Sequence, residues 1–538
     1  MNSHSKRHTI IRAATLIALG NIVSRILGLG REIVIAYYFG ATEFVSAFRI
    51  AQQVPTMLYD LLVGGMVSSA FVPIFSEQAE RDRTELWHIA SLILTLVTLI
   101  MSLTILLIEL AAPQVAYLMA SGFSDSLLTI TARLLRITTP AILLLGLSGV
   151  ITGLLQALNR FALPAFTAAV FNATIILTAM IGVNLFDWGI EALAVGLLLG
   201  AFMQLLLQLP GLRDARLRVN IDLRHPTLRR VVKLVLPILL GLAISQVAIA
   251  IDRNLASRTG EQSIAWMQNA TTIIQFPLGL IAAAISLAIL PTLSRLAMSN
   301  DPTSNQSGPI QTAPSHAFMS TLAQGLRFVL ILIIPATVAL FILADPIVTL
   351  LFERGRFVPF DSQQTALALR FYLLGLIFAA IDQPLIFAYY ARQNTLTPAL
   401  VGLLGVGFYL MTAFTPMLIF SRPMRMTDLV LANSAQLSGH ALVMFWLVNR
   451  LAPLRGHDIG LTMFKAIGAA MLMGAFLWTT LPILQSWLGT DSFSQRAMLV
   501  IGLTVAGSAT YFAGLALLRV SELALIWGIV KRLIRIRN

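Results

Sequence analysis

The sequence contains no cysteine and little charge. With no thiol in 538 residues, disulfides and thiolate metal sites are excluded. Charged residues make up only 11% of the chain, against about 25% in a soluble domain. That is too little to clothe a water-facing surface. Acidic residues are the scarcer sign, with 24 Asp and Glu against 37 Lys and Arg, and the seven histidines show no ligand spacing. Polar low-complexity sequence is confined to one stretch, "SNDPTSNQSGPIQTAPSHA" at 299–317, which reads as a linker.

What the chain has in quantity is hydrocarbon: 57% hydrophobic residues and a mean hydropathy of +0.83. Its apolar runs are near the roughly 20 residues that cross a bilayer. The expected fold is an all-α polytopic membrane protein with about 14 spans, beginning at 10–38 and 42–76 and ending at 461–484 and 496–518. The first apolar run is too long for a cleavable signal peptide, and no small-residue cleavage site follows it.

An even number of spans puts both termini on one side. Arg213, Arg216, Arg218, Arg224, Arg229, Arg230 and Lys233 crowd one connection. Lys6, Arg7 and Arg12 mark the head, and Lys531, Arg532, Arg535 and Arg537 the tail, whereas residues 111–126 carry no Lys or Arg. The bias places both termini in the cytoplasm. It also accounts for the net charge of +13 as contact with anionic headgroups. The basic residues form no single stripe, so no nucleic acid partner is expected.

Two halves echo each other. Ala70-Phe71-Val72-Pro73-Ile74-Phe75-Ser76 matches Ala288-Ile289-Leu290-Pro291-Thr292-Leu293-Ser294 in its Ala, Pro and Ser, 218 positions on. Leu163-Pro164-Ala165 matches Thr397-Pro398-Ala399, 234 positions on. Two matches in the same order predict duplicated six-helix lobes related by a pseudo-two-fold along the membrane normal, a frequent transporter plan. The expected division is a lobe over 1–215, a second over 216–455, and two further helices with the basic tail over 456–538.

The stretch "SRILGLGREIVIAYYFG" (24–40) places two arginines and a glutamate inside an apolar run. At 1.5 Å per residue, entry near Ala13 puts Arg25 about 18 Å deep and Arg31 about 27 Å deep, about 120° apart around the helix. Gly28 and Gly30 between them offer a bend. Arg31 either snorkels to headgroups or faces a cavity. Arg25, at mid-bilayer, is expected to line an aqueous cavity, whose positive charge suits a phosphate-bearing substrate. Arg49 lies in the second span. Asp252 is a candidate for ion or proton coupling, or pairs with Arg253. Asp382 is a second such candidate, or makes a helix-packing hydrogen bond. Gly64-Gly65 and Pro277 with Gly279 are candidate helix breaks, or small-residue packing positions.

The segments "SRILGLGRE", "AFVPIFSE", "LNRFALPAF", "FPLGLIAAAISLAILPTLSR", "LLFERGRFVPFD" and "YYARQNTLTPA" resemble, in that order, the MurJ (MviN) lipid II flippases of the multidrug/oligosaccharidyl-lipid/polysaccharide exporter superfamily. The resemblance implies a 14-helix carrier with a central cationic cavity between two lobes and a lipid-tail groove at its last two helices. It implies transport of a polyprenyl-diphosphate-linked peptidoglycan precursor from the cytoplasmic to the outer leaflet. Membrane lipids and cell-wall synthesis proteins are the implied partners; no cofactor and no covalent chemistry are expected, and a coupling ion is left unnamed. Arg25 and Arg31 match the family's two first-helix arginines. Several polar positions are neutral here: Ser46, Thr56, Tyr59, Gly64, Thr272 and Gln275. Arg49 is the candidate replacement for lost positive charge. The competing readings are export of another lipid-linked oligosaccharide or of a drug or cation, a polyprenyl-phosphate glycosyltransferase and a cell-wall scaffold. A glycosyltransferase needs acidic catalytic residues in a sizeable outer loop, whereas the first outer connection here is only about Gly40-Ala41-Thr42-Glu43.

Overall fold

The computed structural model describes the backbone of residues 3–298 except 223, 315–520 except 452 and 455, and 522–523; the side chains of 3–14, 68–69, 226–238 and 240 are not described. The linker up to Pro314 and the basic tail at 531–537 lie outside the described residues, as do the side chains of Lys6, Arg7 and Arg12. The described chain is helical, without a strand. Ten of its helices are long and apolar enough to cross a membrane. The other four expected spans fall on helices Ser3–Phe39, Glu43–Tyr59 with its continuation to Arg81, Pro226–Ser257 and Met426–Leu451, which are outside those ten.

Helix starts follow the local sequence. Asp82 caps Arg83–Leu110 by accepting from the Thr84 N–H at 2.8 Å, and Ser315 caps His316–Ile342 by accepting from Phe318. Ser492 and Gln495 form a reciprocal capping box for Phe493–Leu517, satisfying N–H groups that have no helical partner.

The chain divides into two compact units: Met1–Ala265 with Arg354–Phe357, and Trp266–Glu353 with Val358–Asn538. In the first, helix Ser3–Phe39 packs on Thr167–Phe186, which packs on Glu191–Gln208, while Glu43–Tyr59 packs on Asp125–Thr138. Small residues set the spacing, since a Cβ at Gly200 would lie 3.0 Å from the Phe171 carbonyl oxygen. In the second, Pro359–Ala391 and Leu396–Leu418 both pack on Met426–Leu451, and Ile459–Leu488 packs on Phe493–Leu517. Tyr511 is buried there and donates to the Ile331 carbonyl at 2.7 Å.

Residues 354–357 join the first unit by a backbone clasp. The Arg356 N–H donates to the Tyr37 carbonyl at 3.0 Å. Gly40 and Gly355 have φ of +67° and +62°, and a Cβ on Gly355 would collide with the Tyr37 carbonyl. Glycine is required at 355 both for the left-handed backbone and for the close approach.

Local geometry recurs at the two offsets seen in the sequence. The π turn Asp60–Gly64 has its counterpart at Leu278–Ala282, each 218 positions apart. Asn159 and Gln393, 234 apart, are both non-glycine residues at positive φ. Behind them Arg160 N–H donates to Leu155 O at 2.8 Å, and Asn394 N–H to Tyr389 O at 3.0 Å. Both are helix-terminating six-to-one bonds of the same kind.

Candidate functional site

The first unit encloses a polar cluster built from three helices. Glu32, on Ser3–Phe39, is 2% exposed, and Arg49, on Glu43–Tyr59, is 6% exposed. Arg49 pairs with Glu32 through both guanidinium nitrogens: Nη2 to Oε2, and Nη1 to Oε1 at 3.3 Å. Arg31 grips the same carboxylate, Nη2 to Oε1 at 2.7 Å and Nε to Oε1 at 3.2 Å. Its Nη1 donates to Asn172 Oδ1 at 3.0 Å, and Asn172 Nδ2 donates to the Ser24 carbonyl at 3.3 Å. Gln52 Oε1 accepts from Arg49 at 3.2 Å.

Two guanidiniums on one carboxylate leave a net positive charge in an apolar surround. A buried charge persists only where it is paired and hydrogen-bonded, and Glu32 supplies that pairing for both arginines. The arrangement can exchange one anion for another: a phosphate group offers the same bidentate geometry to a guanidinium as a carboxylate does.

Of the three expected anion-binding arginines, the structure brings Arg31 and Arg49 together. Arg25 is exposed, about 9 Å earlier on the same helix. Helix Ser3–Phe39 is unbroken through Gly28 and Gly30. A Cβ built on Gly28 or Gly30 would stand 3.7 Å from Asn172 Nδ2 or Ile176 Cδ1, respectively. Gly64 ends a π turn and Gly65 follows it. Pro277 ends helix Ser263–Pro277, and Gly279 lies in the π turn that succeeds it.

Asp252 is half-buried near the end of Pro226–Ser257. Asp382, 8% exposed in the second unit, is hydrogen-bonded: its Oδ1 lies 2.9 Å from His440 Nδ1, and His440 Nε2 lies 3.4 Å from the Pro398 carbonyl. This joins helices Pro359–Ala391, Met426–Leu451 and Leu396–Leu418. Ser46 is fully buried and its Oγ accepts from the Ala265 N–H at 3.2 Å. Thr272 bonds back to Gln268 on its own helix.

Glu32, Asn172, Gln52 and His440 were absent from the sequence-based site. Glu32 carried a visible signal, standing beside Arg31 in a membrane run. Asn172 and His440 were visible only as lone polar residues among apolar neighbours.

A family model described as "Lipid II flippase MurJ" matches residues 35–499. The chain belongs to that family. It is 30% identical over 535 residues to a "Probable lipid II flippase MurJ" of Vibrio cholerae, covering 96% of this chain and 97% of that one. Identity to the Haemophilus influenzae protein of the same description is 29%, over 93% of this chain and 98% of that one. Among solved structures, "Lipid II flippase MurJ, inward closed conformation" superposes with a TM-score of 0.74 at 24% identity, covering 93% of this chain and 100% of the other. An inward-facing multidrug resistance transporter of the MATE family gives 0.68 at 13% identity, over 82% of this chain and 99% of that one. The chain thus shares its fold with both.

Proposed function

We propose that the chain is a flippase for lipid II, carrying this polyprenyl-diphosphate-linked precursor across the bacterial cytoplasmic membrane to its outer leaflet. The observation that carries the reading is the joint grip of Arg31 and Arg49 on Glu32. A diphosphate entering the site competes with the Glu32 carboxylate for the same guanidinium edges. It gains charge-assisted bonds while Glu32 prevents the empty site from holding bare positive charge. Exchange between internal and substrate anion lets a strongly charged headgroup bind without being trapped. Arg25, on the exposed face of the same helix, makes the first contact with the headgroup.

Alternating access between the duplicated lobes, 1–215 and 216–455, then moves the headgroup across, with both termini cytoplasmic and 456–538 contacting the lipid tail. The paired recurrence of π turn and helix end supports the duplication. Return of the empty carrier is coupled to an ion through Asp252 and Asp382, and delivery is to cell-wall synthesis proteins. No bond is made or broken in the substrate.

The test is flipping of fluorescently labelled lipid II in proteoliposomes. Loss of flipping in Arg31→Ala and Arg49→Ala, with flipping retained by unrelated surface variants, supports the reading. Wild-type protein that moves a different lipid-linked oligosaccharide and leaves lipid II untouched replaces it.

A further inference from the structure

The π turn that follows helix Glu43–Tyr59 is not explained by the arginine cluster. Asp60 opens it, about 16 Å further along than Arg49 and within an apolar segment, where a carboxylate normally marks a function. Asp60 is half-buried and, among the described residues, its carboxylate makes no hydrogen bond or ion pair. A second acceptor nearby is equally unsatisfied. Gln246, on helix Pro226–Ser257, is 9% exposed, and its Oε1 is buried without a hydrogen-bond donor.

Register relates the two. Leu242, one helical turn before Gln246 and on the same face, sits against Gly65, and helix Pro226–Ser257 packs along the π turn. The second and seventh spans cross the bilayer in opposite directions. The turn that carries Gln246 therefore lies level with the turn that carries Asp60. Gly64 keeps the space beside the carboxylate open, since a Cβ there would stand 3.1 Å from Asp60 Oδ1. The other helix on this turn, Ala141–Ala157, brings no charged side chain. Helix Pro226–Ser257 carries Arg229, Arg230 and Lys233 toward its start and Asp252 and Arg253 toward its end, each about 9 Å or more along the axis from Gln246, and Tyr59 precedes Asp60 on its own helix.

We infer that Asp60 and Gln246 form a binding site for a small, hard monovalent cation of the sodium class. The Asp60 carboxylate and the Gln246 Oε1 are both oxygen acceptors, which suits a hard cation. One carboxylate balances one positive charge, whereas a divalent ion would leave uncompensated charge inside the membrane. A proton on Asp60 would need a single acceptor and would leave the space held open by Gly64 unused. The site lies within the first unit and is separate from the Asp382–His440 pair. Occupation turns a charged, unpaired turn into a neutral one, and so biases whichever state of the carrier presents it.

The experiment is thermal unfolding of the full chain in nanodiscs, in sodium chloride against choline chloride at equal ionic strength and at several pH values. Saturating sodium should raise the midpoint of the wild type by about 2–5 °C through mass action. Asp60→Asn and Gln246→Ala should each remove that rise, and Asp214→Asn, in the exposed connection where Asp214 pairs with Arg160, should leave it. Should Asp60→Asn yield no folded protein, Gln246→Ala reads the same increment. A sodium-dependent rise that survives in the Asp60 and Gln246 variants, or no rise in the wild type, overturns the proposal. So does a rise that follows pH and ignores sodium, which would make Asp60 a proton site. The readout is ion binding alone, so it stands or falls separately from the identity of the lipid carried.

Discussion

Glu32 and Arg49 stand on different helices, seventeen residues apart, and form a buried ion pair whose carboxylate is shared with Arg31. The pair binds the first two helices of the first unit to each other and sets the charge of its interior. Its partners are not equivalent: removing the single anion strands two cations, whereas removing either cation leaves one neutral pair.

Glu32→Gln should therefore cost the most in the empty protein. Breaking a buried pair by removing one partner costs about 3–5 kcal/mol. The unfolding midpoint should fall, and added inorganic pyrophosphate should restore more of it in the variant than in the wild type. Equal effects of pyrophosphate on both proteins would mean that the arginines do not accept an external anion there.

Arg49→Ala and Arg25→Ala should separate by readout. Arg49 is enclosed and paired, so its loss should lower both the unfolding midpoint and lipid II flipping. Arg25 is exposed, and its loss should lower flipping, by weakened headgroup capture, with little change in midpoint. Flipping at the wild-type rate by Arg25→Ala removes that residue from the substrate path.

Gly355→Ala should destabilise the clasp on the end of the first helix. Left-handed backbone in a residue with a Cβ costs about 1–3 kcal/mol, and the Cβ would meet the Tyr37 carbonyl. Limited proteolysis should cut the 353–358 connection faster in the variant. Unchanged cleavage would show that the clasp is not held by this contact.

A pH-dependent contribution is expected on the connection after Glu191–Gln208. Arg160 donates to Asp214 at 2.6 and 2.9 Å, and these bonds hold the Asp214 carboxyl below the usual carboxylate range. A carboxylate pKa lowered by folding adds stability above its unfolded value, near 3.9, and loses it as pH falls through the folded value. The group is largely exposed, so the contribution stays well under about 1 kcal/mol. The difference between wild type and Asp214→Asn in unfolding midpoint should be complete at pH 7, begin to shrink below about pH 4 and vanish only once pH is below the lowered folded value. A difference that does not shrink in acid contradicts it.

The apolar spans and the internal echo were readable because they lie in local sequence. The Ala-Pro-Ser echo at 70–76 and 288–294 flagged helices that each carry a π turn at the same offset. The non-glycine residues at 159 and 393 gave no comparable warning, although their left-handed backbone recurs too. The ion cluster was only half readable. Arg31 and Glu32 are neighbours, but Asn172 reaches Arg31 across 141 positions, and local sequence pattern does not reveal which faces of two distant helices meet. The same limit hid His440 from Asp382, 58 positions away.

The most direct test of the central claim is single-turnover flipping of labelled lipid II in proteoliposomes by wild type, Arg31→Ala and Arg49→Ala, each verified as folded. The account predicts flipping by the wild type and at least a tenfold loss in each variant, corresponding to about 1.4 kcal/mol or more of lost interaction. Wild-type rates in both folded variants would contradict it.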